Sequence, residues 1–309
     1  MPLQGVNPTR TSIGSLSFVG GFHLTSDDVR FGGLSGLDVL DDGNLLAVSD
    51  TGSLVWIGLG ADGATPVSAR LASMRDGEGE PFKRKADADA EGLAVIDGVA
   101  LVSFENDHRV LAYDLARCGA AARGALVERA DLPEAFKRQR MKVSGNAGAE
   151  ALAITPDGYL FVGVEEKSGA ASAVSARAIE TAPVFDIGIG HGAPELVGLD
   201  VISTGEPGEG LVAYSLHRST NALATNVIVL VETLFERENG NAGREKVQLR
   251  RKASRTLAGM NLFVTIDNFE GIAARRMPDG RVRLYVVADN NFSASQRTLL
   301  MVYDVTERG

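Results

Sequence analysis

The chain has 309 residues, of which 44% are hydrophobic and 23% are charged. This composition excludes wholesale disorder, and the longest apolar runs are too short to span a bilayer. The formal net charge of −9 is opposite to that of a general binder of nucleic-acid backbone, so we expect neither nucleic acid nor membrane as a partner. A single cysteine, Cys118, excludes an intrachain disulfide and a thiolate metal cluster.

Hairpin modules recur along the chain and are the main structural signal. Each module starts with a short strand containing Gly or Ala, turns through a Gly, and ends with a more apolar strand and an acidic residue. Clear copies lie at 34–50, 90–105, 149–165 and 269–289, and a weaker copy lies at 196–217. Asp-Gly between two aliphatic runs favours a hairpin, because Gly accepts positive φ at little cost.

A third strand follows several hairpins, at 110–114, 227–231 and 299–304. Several strands per module, repeated along the chain, predict an all-β fold of the β-propeller type. The long interval from Gly198 to Gly271 has room for a further blade, so we expect six blades, with five or seven as alternatives. A β-sandwich is the rival fold, but it does not explain one module at five places. We expect a single domain over residues 13–309, preceded by an N-terminal tail at 1–12.

The acidic residues of the modules are predicted to converge. In an antiparallel hairpin the start of the first strand lies beside the end of the second, and equivalent ends of propeller blades share one face. Each hairpin therefore pairs a residue at its start with an acidic residue at its end. The pairs are Ser35 with Asp50, Glu91 with Glu105, Glu150 with Glu165, and Glu270 with Asp289. All of these carboxylates should ring one mouth of the central channel.

Such a ring needs compensation, because two like charges ~4 Å apart repel by roughly 4 kcal/mol at an intermediate dielectric. Protonation, arginine pairing or a bound cation would offset the repulsion. Oxygen ligands without His or Cys clusters favour hard cations, so we predict Ca²⁺, with Mg²⁺ as the alternative. A structural role stays open, in which the Glu side chains accept backbone N–H bonds or pair with guanidinium groups. The arginines nearest the acidic motifs in sequence are Arg109, Arg218, Arg275 and Arg297.

Six motifs together resemble those of a known family. In chain order they are Gly33-Leu-Ser-Gly-Leu, Asp89-Ala-Glu-Gly-Leu-Ala, Ser103-Phe-Glu-Asn-Asp-His-Arg, Gly145-Asn-Ala-Gly-Ala-Glu-Ala-Leu, Asp267-Asn-Phe-Glu-Gly-Ile-Ala and Ala288-Asp-Asn-Asn-Phe-Ser. Over about residues 13–305 the chain resembles the phytase-like family described as having esterase-like activity of phytase. The resemblance implies a β-propeller and metal-dependent hydrolysis of phosphate or other esters. It also implies a bacterial protein that is periplasmic or secreted, although residues 1–10 show no signal peptide.

The hairpin geometry and the resemblance together give a predicted site. The metal ligands are expected among Asp50, Glu91, Glu105, Glu150, Glu165, Glu270 and Asp289. Catalytic roles are expected for Glu150, Asp289, Arg297 and His217, and substrate contacts for Asn146, Arg218, Arg275 and Asn290. Where the family usually has Glu-Arg, this chain has His217-Arg218, which removes one carboxylate from the ring.

The predicted activity is calcium-dependent hydrolysis of a small anionic or ester substrate by a monomer. One alternative is a propeller lactonase or related carboxylic-ester hydrolase, in which a metal at the channel mouth polarises a carbonyl group. The other alternative is a non-catalytic binding propeller that a metal ion stabilises. The fold alone does not choose among these, because propellers host many functions.

Overall fold

A computed structural model describes residues 1–127, 149–155, 158, 160–163, 172–175, 185–186, 195–205, 210–220, 226–238 and 248–306. These residues form five antiparallel sheets. The strands are β1 (Ser12–Ile13), β2 (Leu16–His23), β3 (Leu34–Val39), β4 (Leu45–Ser49), β5 (Ser53–Leu59), β6 (Pro66–Ser73), β7 (Ala90–Ile96), β8 (Val99–Phe104), β9 (Val110–Asp114), β10 (Ala125–Leu126), β11 (Ala151–Ile154), β12 (Leu160–Gly163), β13 (Ser172–Ser175), β14 (Phe185–Asp186), β15 (Glu195–Ser203), β16 (Gly210–Thr220), β17 (Asn226–Glu238), β18 (Gln248–Met260), β19 (Asn268–Arg276), β20 (Val282–Asp289) and β21 (Leu299–Val305).

Helix is sparse in the described part of the chain. It comprises α1 (Lys85–Ala88), α2 (Leu115–Cys118) and one 3₁₀ turn (Gly119–Ala121). None of the helices in the described ranges has the length and apolarity needed to cross a membrane. The predicted all-β class is confirmed.

The sheets are the blades of a propeller. Blades 1 to 4 are β3–β6, β7–β10, β11–β14 and β15–β18, and blade 5 combines β19–β21 with β2 and β1. The first strand of each blade packs against the first strand of the next, and β19 packs against β3, so the ring closes. Five hydrophobic clusters fill the five interfaces between neighbouring blades. The described residues therefore form a closed ring of five blades.

The interval from Gly198 to Gly271, which had room for a sixth blade, belongs mostly to blade 4. There β16 has 11 residues, and β17 and β18 have 13 each. These long strands form one sheet with β15, and β19 then opens blade 5. The described residues form five blades rather than the expected six. Five blades was one of the two alternatives in the sequence analysis.

The N-terminal region closes the ring. Strand β2 pairs antiparallel with β21, so blade 5 joins the two ends of the chain. Leu3 is fully buried in the cluster between blades 4 and 5, and its carbonyl oxygen accepts a bond from the Thr265 amide at 2.7 Å. Residues from both chain ends thus share one hydrophobic core.

Glycines let the inner strands approach one another closely. A Cβ on Gly36 would lie 2.7 Å from the Leu93 backbone nitrogen, and a Cβ on Gly198 would lie 2.5 Å from the Glu270 carbonyl oxygen. Both contacts join the first strands of neighbouring blades, where any side chain would push the backbones apart. The Gly of the repeated module is therefore a packing requirement of the propeller axis.

Candidate active site at the channel mouth

Bulges in the inner strands set the direction of the residue before each Gly. The pairing register shifts across Ser35 in β3, across Val197 in β15 and across Glu270 in β19. A similar shift in β7 includes Glu91. A bulge leaves the extra residue out of the ladder and re-aims its side chain. Glu150 has the corresponding place directly before β11.

The space on the axis itself is small. A cavity of about 10 Å³ lies among the inner strands, and Ser35, Glu150, Val197 and Glu270 are among the residues that line it. Such a volume holds about one water molecule. A ligand would therefore reach the carboxylates from the mouth rather than through the channel.

The ends of the second strands bring further carboxylates to the same mouth. Asp289 ends β20 opposite Asn268, the first residue of β19. Asp50 and Glu105 directly follow β4 and β8, and their amides bond to the Gly33 and Asp89 carbonyl oxygens at 2.8 and 2.9 Å. The structure thus brings the start and the end of each of these hairpins together, as the hairpin geometry predicts.

Three carboxylates of blade 2 form the tightest group. One ligand oxygen each from Asp89, Glu91 and Glu105 lies within 4.8 Å of the others. The Asn106 side-chain amide donates to Asp89 Oδ2 at 3.1 Å and holds that carboxylate in place. We refer to these three residues as the acidic triad.

All three carboxyl groups of the acidic triad have raised pKa values. Burial raises the pKa of Glu91 well above its ordinary value, and repulsion from Glu150 and Glu270 raises it further. Burial raises the pKa of Glu105 to about 7, and the adjacent Asp89 carboxylate adds to that shift. The pKa of Asp89 is also raised by burial, although Lys85 opposes the shift. A group of carboxylates with raised pKa values binds either protons or another cation at neutral pH.

The two carboxylates of blade 5, Glu270 and Asp289, also have raised pKa values. Burial raises the pKa of Asp289 to about 7, and repulsion from Glu270 contributes. Burial also raises the pKa of Glu270, even though Arg218 stabilises its ionised form. Repulsion from Asp50 in blade 1 also raises both pKa values, so these three carboxylates share one electrostatic environment.

Arg218 pairs with Glu270 at the blade 4 side of the mouth. Its Nη1 donates to Glu270 Oε1 and to Asn268 Oδ1, and Asn268 Nδ2 donates to the same Glu270 oxygen at 2.6 Å. The pair is largely buried, with side-chain exposures of 22% for Arg218 and 16% for Glu270. Arginine pairing is the structural alternative to a bound cation. In the described residues it accounts for Glu270 but for no member of the acidic triad.

A lysine pairs with Asp50 at the same mouth. Lys85 Nζ lies 2.9 Å from Asp50 Oδ2 and 3.8 Å from Asp89 Oδ1. The other oxygen, Asp50 Oδ1, is buried and has no hydrogen-bond partner among the described residues. Gly33, at φ +62°, leaves room for this oxygen, since a Cβ there would lie 1.9 Å from it. Asp50 therefore has one oxygen to offer a ligand.

Three further predicted residues, His217, Asn290 and Arg297, contact neighbouring side-chain or backbone groups. His217 is 1% exposed, and its Nε2 lies 2.9 Å from the Ser215 hydroxyl oxygen, so it is beneath the surface of the mouth. Asn290 Oδ1 accepts from the Gly33 amide at 3.1 Å, next to Asp50. Arg297 donates from Nε to Asp267 Oδ2 at 3.0 Å.

Arg275 is not brought to the mouth. It is opposite Arg283 in the β19–β20 ladder, and its Nη1 donates to the Gly43 carbonyl oxygen at 3.4 Å in a blade 1 turn. It is therefore at the other end of its strand from Glu270. Asn146 and Glu165 lie outside the described residues, so their predicted roles stay predictions.

Sequence reasoning missed two residues of the site, Asp89 and Lys85. Asp89 precedes the first strand of blade 2 by one residue, and its spacing of two from Glu91 was the available signal, because alternate residues of a strand share a face. No sequence signal placed Lys85, since its position depends on the path of the loop that carries α1.

A closed β-propeller with a carboxylate-lined channel mouth is thus the class of protein that the fold and the site define. The sequence profile of the phytase-like family, described as "Esterase-like activity of phytase", matches residues 29–292, and the chain belongs to that family. The predicted family is confirmed. No curated protein matches the sequence significantly.

Several solved propeller structures are similar to the chain. The pyranose dehydrogenase PQQ domain from Coprinopsis cinerea is 10% identical, with a TM-score of 0.48 over 94% of this chain and 98% of that one. Glutaminyl cyclase from Myxococcus xanthus is 12% identical, with a TM-score of 0.44 over 94% and 97%. The PQQ-bound aldose sugar dehydrogenase from Streptomyces coelicolor is 10% identical, with a TM-score of 0.43 over 92% and 98%.

Proposed function

We propose that the protein is a calcium-dependent hydrolase of small phosphate esters or related esters. Its active site would be the acidic mouth, the end of the channel where the acidic triad, Asp50, Glu270 and Asp289 lie. The observation that carries the proposal is the acidic triad, in which three carboxylate oxygens lie within 4.8 Å of one another. Each of the three groups has a raised pKa, and Lys85, the one ammonium beside them in the described residues, bonds more closely to Asp50. Membership of the phytase-like family supports the same reaction class.

The donor chemistry fits a hard divalent cation. The oxygens available are carboxylates, which suit Ca²⁺ better than Zn²⁺. Asp50 Oδ1 is a buried oxygen to which no described residue donates a hydrogen bond, and a cation would satisfy it. In this proposal Asp89, Glu91 and Glu105 hold the ion, and Asp50 borders it. When bound, the ion supplies Lewis acidity and neutralises negative charge on the substrate.

Asp289 in blade 5 and Arg218 in blade 4 are suited to proton transfer and orientation. Asp289 is 3% exposed, and its Oδ1 accepts from the Asn291 amide at 2.7 Å, which leaves Oδ2 to take or give a proton. Its pKa of about 7 suits a general acid or base at neutral pH. Arg218 presents a guanidinium fixed by Glu270, and its positive charge would attract an anionic part of the substrate.

Chelation and one substitution test the proposal together. Hydrolysis of 4-nitrophenyl phosphate, 4-nitrophenyl acetate and a simple lactone is measured before chelation, after EDTA treatment, and after CaCl₂ is restored. We expect turnover that EDTA abolishes and CaCl₂ restores, and Glu91→Gln should lower kcat/KM by about 10–100-fold. Glu80→Gln is the matched control, because Glu80 is an exposed glutamate of the preceding loop.

The other outcomes discriminate the alternatives. Turnover that persists after complete chelation would refute calcium dependence. Turnover of the lactone alone would identify the carboxylic-ester alternative. A calcium-dependent rise in Tm without turnover on any substrate would identify a binding propeller and refute the hydrolase.

A further inference from the structure

The loop before blade 2 places a lysine ammonium inside the acidic mouth. Lys85 opens α1, and its Nζ contacts Asp50 Oδ2 at 2.9 Å and Asp89 Oδ1 at 3.8 Å. Attraction from Glu91 also acts on this ammonium. Lys85 therefore interacts with two members of the acidic triad and with the carboxylate that borders it.

The backbone that carries Lys85 is anchored, whereas its side chain reaches into solvent. Ala88 is buried against Gly52, where an added Cβ would lie 2.8 Å from the Ala88 Cβ. Arg109 donates to the Asp87 carbonyl oxygen on the same turn. The Lys85 side chain is nevertheless 64% exposed, so it can rotate away without any movement of the loop.

We infer that Lys85 is an internal counter-cation that competes with a divalent metal ion for the acidic mouth and sets the affinity of the site. The inference rests on the proposed metal site. An ion held by Asp89 and bordered by Asp50 would lie beside the ammonium, so either the two positive charges repel or the lysine leaves its carboxylates. In both cases the lysine weakens metal binding. In the absence of metal it reduces the repulsion among the carboxylates.

Calcium titration of charge variants tests this role directly. The affinity for Ca²⁺ is measured by isothermal titration calorimetry, after chelation and buffer exchange, for the wild type, Lys85→Met and Lys85→Arg. We expect Lys85→Met to bind Ca²⁺ about ten-fold more tightly, which corresponds to about 1.4 kcal/mol. Lys85→Arg keeps the positive charge and should stay within about three-fold of the wild type.

Lys83→Met is the matched control, because Lys83 is exposed on the same loop and makes no ion pair with the described residues. It removes the same charge without the contacts, and we expect an affinity within two-fold of the wild type. An equal ten-fold gain in Lys83→Met would show a general charge effect and refute the specific role of Lys85.

A second measurement separates the inference from the proposed function. With EDTA present, Lys85→Met should melt at a lower temperature than the wild type, and Ca²⁺ should raise its Tm by more. Equal calcium affinities of the wild type and Lys85→Met would show that Lys85 does not compete with the metal ion, and the proposed metal site would remain supported. Failure of both proteins to bind Ca²⁺ would refute the metal site and the inference together.

Discussion

Glu105 and Asp289 connect the site to the pH dependence of stability. Burial raises their pKa values from about 4.5 and 3.8 to about 7 in the folded protein. Between the ordinary and the raised pKa the folded state holds more protons than the unfolded state, so the free energy of unfolding falls as pH rises. Their stabilising contribution is complete below pH ~4 and is lost as pH passes about 7.

We therefore expect the Tm in EDTA to fall by several degrees between pH 5 and pH 8, and Glu105→Gln to fall less over that range. Added Ca²⁺ should oppose the fall, because it binds the ionised carboxylates and stabilises them most at high pH. Differential scanning calorimetry at several pH values, with EDTA and with CaCl₂, measures both effects. A wild-type profile parallel to that of Glu105→Gln would contradict the raised pKa of this residue.

At the residue scale the sequence predicted the carboxylates that follow from strand pairing and missed Lys85, whose position depends on a loop. Glu91, Glu270 and Asp289 follow from the ladder, because residue spacing alone fixes which ends meet. The ammonium of Lys85 depends on the conformation of residues 75–89, which no periodicity encodes. Arg275 shows the opposite error. Its closeness in sequence to Glu270 predicted a place at the mouth, but in the structure it lies near the other end of the same strand.

The half-buried Asp38 and the buried Asp200 connect neighbouring inner strands at the other end of the channel. Asp38 Oδ2 accepts from the Val95 amide in blade 2 at 2.5 Å. Asp200 Oδ2 accepts from the Ala274 amide in blade 5 at 2.6 Å. Burial raises the pKa of Asp200 to about 6 and that of Asp38 as well, so their partner amides only partly offset the cost of burying the charge. Each carboxylate thus links two blades through a backbone donor.

Asp200→Ala should test the contribution of one such link. The substitution leaves the Val201 and Ala274 amides without their acceptor in a buried environment, which should lower the free energy of unfolding by about 2–4 kcal/mol. Asp200→Asn keeps one acceptor oxygen and should cost less. Urea denaturation measures both, with Asp279→Ala in an exposed turn as the control. A loss below about 1 kcal/mol for Asp200→Ala would mean that water or rearrangement replaces the link.

Sequence patterns predicted the positions of strands but not the β-bulges within them. The third strand predicted at 110–114 is β9 (Val110–Asp114), because alternating apolar residues and a turn define its ends. The bulges at the residue before each Gly were not predicted, since a bulge arises from packing between neighbouring inner strands rather than from local propensity. These bulges set the direction of Glu270 and Glu91, so the detailed shape of the site was beyond sequence reasoning.

The whole molecule depends on a ring that the two ends of the chain close. Blade 5 takes β19–β21 from the C-terminal part and β2 from the N-terminal part. Without residues 1–24 one edge of β21 would be unpaired, although β20 still pairs with the other edge, and the cluster between blades 4 and 5 would lose Leu3 and Leu16. Equivalent modules predicted such a ring, whereas the strand that closes it has no counterpart in the repeat and left no signal in the sequence.

Deletion of residues 1–24 should therefore destabilise every blade rather than one. We expect the truncated protein to lose a single cooperative thermal transition, or to melt more than about 10 °C lower, because one edge of β21 becomes unpaired and the interface between blades 4 and 5 loses apolar side chains. A synthetic peptide of residues 12–24 supplies β2 in trans, and it should raise the Tm as its concentration increases. A peptide with Leu16→Asp puts a charge into the core between blades 4 and 5 and should not. If the truncated protein melted like the wild type, the packing of the inner strands, including β19 on β3, would hold the ring together without β2. The acidic mouth would then draw its rigidity from neighbouring inner strands alone, and Ca²⁺ would bind the truncated protein as tightly as the full chain.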